Sequence, residues 1–132
     1  MRYMMLIYSK EREAGLPREQ VTELMNAHWS VMQEATSKGI LLGAEPLGPT
    51  TTATTVRVQN GKAMITDGPF AETKEQLAGY YMLECKNLDE ALDWAAKIPT
   101  GCKGAEGCIE VRPLPGLPVR EGEMDCAAAV NA

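Results

Sequence analysis

The chain has 132 residues, the length of one ordinary domain, and its 45% hydrophobic and 23% charged residues support a folded core and argue against a disordered or membrane-embedded chain. A formal net charge of −5, with no run of Lys or Arg, argues against a nucleic-acid partner, because phosphate backbones are bound by basic stripes. The apolar start, Met1 to Tyr8, is too short to span a bilayer and lacks a basic leader and a small-residue cleavage site, so a cytoplasmic protein with no membrane partner is expected.

Arg2 to Tyr8 is a near-continuous apolar run, as in a strand covered on both faces. Pro17 suits a first helical turn, and Val21, Leu24, Met25, His28, Met32 and Ala35 recur at helical spacing until Gly39 offers a stop. His28 is the one titratable side chain on that apolar stripe. Ile40 to Leu47 is a second strand candidate, interrupted by Gly43 and Pro46, and the threonine run Thr50 to Thr55 leads into a third.

Asn60 and Gly61 between alternating segments are a strong hairpin cue, and a two-residue turn sets Val58 opposite Ala63, Val56 opposite Ile65 and Thr54 opposite Asp67. After the turn sequence Gly68, Pro69, Phe70 comes a polar segment and a strand from Gly79 to Glu84. Tyr80 and Tyr81 alternate across it, so one meets the helices and the other the opposite face. Asn87 with Glu90 three residues on predicts a capping box for a second helix carrying Leu88, Ala91, Leu92, Ala95 and Ile98, ended by Pro99. A last strand, Cys108 to Arg112, is closed by Pro113, and residues 114–132 read as a tail or arm beyond a domain of residues 1–113.

This order predicts an α+β chain: a ferredoxin-like βαβ(β)βαβ sandwich with an extra hairpin. Two helices can cover only one face of its sheet. The other would expose a large apolar patch, so a homodimer formed through that face is expected. Cys85, Cys102, Cys108 and Cys126 show no CxxC spacing, so reduced thiols and no metal are expected. Cys102 and Cys108 flank a glycine-rich loop, and a disulfide or redox role for them is the alternative.

The segment Thr66 to Tyr81, TDGPFAETKEQLAGYY, resembles the signature of the DGPF branch of the YCII-related family. Tyr3 to Tyr8, Ala53 to Arg57, Leu88 to Ala91, Trp94, Ala95 and Val111 to Pro113 extend the similarity, which covers roughly residues 2–113. The resemblance implies a ferredoxin-like fold assembled as a dimeric α+β barrel. It also implies cleft chemistry through a His and an Asp, or else a regulatory module associated with a sigma factor. The cysteines before the last strand and the C-terminal extension depart from the commoner pattern.

His28 is suited to proton transfer near neutral pH, and a bond to Asp67 would orient its ring. On that reading the pair performs acid/base chemistry of lyase or isomerase type on a small acidic or carbonyl compound, with Arg57 holding an anionic group and no cofactor. Phe70, Glu72 and Lys74 would add ligand contacts at the cleft mouth. The plainer reading makes Asp67 a turn former, His28 a core residue, Phe70 an anchor packing the turn onto the core, and the charged cluster a solvated surface.

Overall fold

Alternation decides which side of each strand is buried, and the computed structural model, which describes residues 1–12, 15–100 and 107–118, shows the outcome strand by strand. In β1 (Arg2–Ser9) Tyr3, Met5 and Ile7 point into the core while Met4, Leu6 and Tyr8 point away. In β5 (Gln76–Glu84) Gly79, Tyr81 and Leu83 take the inner side. The two strands are antiparallel neighbours with Tyr3 opposite Leu83 and Met5 opposite Tyr81. One inner face of bulky side chains results.

With β2 (Leu41–Pro46) and β6 (Gly107–Leu114), β1 and β5 form a four-stranded antiparallel sheet in the order β2, β5, β1, β6. The long helix α1 (Arg18–Ser37) and the shorter α2 (Leu88–Ala95) supply the other layer. Val31 and Ala35 of α1, and Ala91 and Trp94 of α2, are their buried residues. Ala35 and Ala91 are fully buried, and their small side chains let each helix lie close to the sheet. Interleaved strand, helix and strand units of this kind make the chain the expected ferredoxin-like α+β fold.

Local chemistry sets the element ends. The Asn87 side chain accepts a hydrogen bond from the Glu90 amide at 3.0 Å and starts α2 as a cap. Pro17 precedes the first helical residue of α1. Lys97, just past α2, lies 4.4 Å from the Trp94 ring centre and 2.8 Å from the Glu34 carboxylate, tying the end of α2 to α1.

β3 (Thr54–Gln59) and β4 (Lys62–Asp67) form a separate two-stranded sheet with the predicted register: Val58 opposite Ala63, Val56 opposite Ile65 and Thr54 opposite Asp67. Asn60 at φ 51° and Gly61 at φ 76° have the paired positive φ angles of a type I′ turn. The Gly68 amide donates to the Ala53 carbonyl, and the Thr55 hydroxyl donates to the Gly68 carbonyl, each at 2.7 Å, closing the hairpin base.

The threonine run leads into β3 as expected, by way of a 3₁₀ turn, Thr50–Thr52. Several boundaries differ from the sequence reading. β5 starts at Gln76, three residues before Gly79, because a bulge between Ile7 and Tyr8 lets Tyr8 and Ser9 continue the pairing with Leu77 and Gln76. β6 runs through Pro113 to Leu114, which an edge strand allows since the missing proline N–H is not needed on its free side. Cys102, Cys126 and residues 119–132 of the tail lie outside the described residues, so a Cys102–Cys108 pairing does too.

Phe70 corrects another expectation. It is 76% exposed and anchors nothing in the core, because the turn that carries it leaves from the separate hairpin rather than from the sandwich.

Candidate functional site

His28 lies on the side of α1 that faces the sheet, next to a cavity with largely apolar walls. Its ring nitrogen Nδ1 is 2.7 Å from the Tyr81 hydroxyl of β5, and that hydroxyl is 3.4 Å from the His28 carbonyl. The contact works in either tautomer. If Tyr81 donates to Nδ1, the opposite nitrogen Nε2 carries the hydrogen. If Nδ1 donates to the phenol oxygen, the hydroxyl hydrogen turns toward the His28 carbonyl and Nε2 becomes an acceptor.

Burial sets the charge state of the pair. It lowers the His28 pKa below 6.5, so the ring is neutral at neutral pH. The Tyr81 phenol is pushed up to about 12, again by burial. Two neutral groups that can exchange donor and acceptor roles therefore face the cavity together.

That cavity has a volume of about 300 Å³ and lies between α1 and the inner face of the sheet where β2 and β5 run together. Leu24, Met25 and Met32 form its helix side, and Ile7, Ala44 and Pro99 enclose it from the sheet and the α2 end. Trp29 also lines it and is 58% exposed. Gly79 sits in its wall, and a side chain there would meet the Glu45 carbonyl at 2.8 Å.

Asp67 occupies a different place. It lines a second, shallower cavity of about 500 Å³ with Thr50, Gly68, Glu72 and Gln76. Glu11 organises this region: its carboxylate accepts from the Thr50 amide at 2.8 Å and the Thr50 hydroxyl at 2.7 Å, while its own amide donates to Gln76 at 2.8 Å. Thr51, Thr73 and the acidic Asp67 and Glu72 share this lining with the apolar Pro69 and Ala71.

Within one chain His28 and Asp67 thus line separate cavities, and the polar partner of the imidazole is Tyr81. Of the proposed accessory residues, Glu72 joins Asp67 in the second cavity. Arg57, exposed on the hairpin opposite Met64, and the exposed Phe70 and Lys74 line neither. Tyr81 is the partner that sequence reasoning left unpaired with His28. The available signal was the Tyr80, Tyr81 alternation, which places one hydroxyl on the helix side.

The thiols contribute little chemistry here. Cys85 is buried and its thiol is pushed up to about 11, chiefly by that burial. Cys108 is exposed; desolvation and the Glu75 carboxylate, 3.5 Å away, raise its pKa. Both therefore stay protonated at neutral pH, which makes them poor nucleophiles.

Residues 1–115 match the YCII-related domain. An uncharacterised protein of Rhizobium meliloti (strain 1021) is 39% identical over 115 residues, which span 86% of this chain and 92% of that protein. The chain belongs to the YCII-related family. Among the described residues no helix is long and apolar enough to cross a membrane.

Proposed function

We propose that this YCII-related protein binds a small molecule in the cavity beneath α1, with the His28–Tyr81 pair as its polar anchor. The observation that carries the reading is the 2.7 Å contact between these two neutral groups in the wall of a largely apolar cavity. Such a site supplies apolar burial for affinity and one hydrogen-bonding centre for orientation. It also offers acid/base chemistry of the lyase or isomerase kind, since neutral Nε2 can accept or donate a proton while Tyr81 holds Nδ1. Asp67 shapes the turn of the motif, and on that motif the chain falls in the DGPF branch.

The working unit in this proposal is a homodimer. Met4, Leu6 and Tyr8 of β1 and Met82 of β5 stand on the side of the sheet away from both helices, and a second copy covers them. Light scattering at micromolar concentration checks this part, with twice 14.3 kDa expected and a monomer counting against it.

The ligand site is tested by a thermal-shift screen of small molecules on wild type and on His28→Ala and Tyr81→Phe. A compound that stabilises the wild type and loses most of that effect in both variants, while their circular dichroism stays native, supports the reading. Equal stabilisation of wild type and both variants removes the pair from the site. A regulatory role, with a sigma factor as partner, draws on a different observation, the exposed Phe70 of the motif. On that reading Phe70→Ala abolishes partner binding and leaves ligand binding in the cavity unchanged.

A further inference from the structure

The side chains that face the cavity beneath α1 determine which ligand charge it tolerates. Leu24, Met25, Met32, Ile7, Ala44 and Pro99 are apolar, and His28, Tyr81, Ser9 and Thr100 add neutral polar groups. Glu45 is the one charged residue among the described lining residues. It pairs with Tyr80, one step out of phase with the Ala44–Tyr81 pair. Successive strand residues point to opposite faces, so Glu45 and Tyr80 offer backbone to the cavity and turn their side chains to the far side of the sheet. Among the described lining residues a charged ligand would meet no counter-charge to offset its lost hydration, whereas a neutral one loses little.

We infer that the ligand is a neutral, largely apolar molecule with one hydrogen-bonding group, such as an alcohol, phenol, ketone or amide, and not a carboxylate, phosphate or ammonium. This rests on the reading of the cavity as the ligand site, and of the small acidic or carbonyl compound expected from sequence it keeps the carbonyl alternative and drops the acidic one. The volume of about 300 Å³ is at the lower end of ligand pockets, roughly 300 to 1,000 Å³, and suits a single-ring compound. Nε2 of His28 serves an acceptor or a donor on the ligand by switching tautomer, which a hydroxyl or carbonyl matches and a charged group does not need.

The test uses the full chain labelled with ¹³C at its methionine methyls and three probes of one shape and different charge: benzyl alcohol, benzoate and benzylammonium. Met25 and Met32 line the cavity, while Met64 on the hairpin and Met82 on the far sheet face do not, so the protein carries its own controls. At neutral pH benzyl alcohol is expected to shift the Met25 and Met32 methyls selectively, with affinity at least about tenfold above that of either ion. Benzoate or benzylammonium binding as tightly, with the same selective shifts, overturns the neutral class and leaves the cavity as the ligand site. No selective shift of Met25 and Met32 with any probe overturns both.

Discussion

The sandwich and the β3–β4 hairpin are made of similar β-forming residues and end in opposite situations. Met5 and Leu83 of the sandwich are fully buried, each lying between neighbouring strands and the helix layer. Val58 and Ile65 of the hairpin are 70% and 71% exposed, and among the described elements β3 and β4 are in substantial contact only with each other. The hairpin therefore has the backbone ladder of a sheet without the burial that normally stabilises one. A two-stranded ribbon alone is marginal in water, so the hairpin's own stability rests on its Asn-Gly turn and on the hydrogen bonds at its base.

The largest contrast is expected from truncating the same kind of side chain in the two regions. Leu83→Ala removes fully buried methyl groups and is expected to destabilise by about 2 to 5 kcal/mol. Val58→Ala is expected to change stability by no more than about 0.5 kcal/mol in dilute protein. Urea unfolding at two protein concentrations sharpens the comparison. If a second copy covers the hairpin, the effect of Val58→Ala grows at the higher concentration, and an effect that is small at both leaves the hairpin free.

A smaller contrast separates two glycines of the sheet. A methyl at Gly79 would lie 2.8 Å from the Glu45 carbonyl, which is backbone and cannot turn aside, whereas a methyl at Gly43 meets nothing within 4 Å. Gly79→Ala should cost about 1 to 3 kcal/mol through forced separation of β2 and β5. Gly43→Ala should be neutral or up to about 1 kcal/mol stabilising. Equal effects in thermal melts would mean that the two strands can part at Gly79 without strain.

How far these features are legible in the sequence follows from the range of the interactions that make them. The hairpin register is local: Asn60, Gly61 and the alternation of Val56, Val58, Ala63 and Ile65 specify it within the ten residues 56–65. The helices and their caps are local in the same sense. The partner of His28 is not, because Tyr81 is 53 residues away and reaches it only through the placement of β5 beside β1 and of α1 over both. Asp67 is a better hydrogen-bonding group for an imidazole than a tyrosine, and residue chemistry alone favours it. Its position depends on where the hairpin leaves the sandwich, which no local pattern encodes. Phe70 went the same way: an aromatic residue after a Gly-Pro turn packs inward only if the turn lies on the core.

The smallest predicted effect is in the pH dependence of stability, which reports on the two buried groups of the His28–Tyr81 pair. The His28 pKa is lowered in the fold from 6.5, so below that pH the unfolded chain binds a proton that the fold resists, and stability declines as pH falls from 6.5 toward the lower folded value. The Tyr81 phenol moves from 10.0 up to about 12. Its contribution is complete below pH 10 and is lost as pH rises from there to about 12. Denaturation midpoints measured across both windows should show a shallower acid limb in His28→Gln and a shallower alkaline limb in Tyr81→Phe. An acid limb unchanged in His28→Gln would mean that the imidazole is solvated, and the cavity beneath α1 would lose the neutral group on which its ligand chemistry depends.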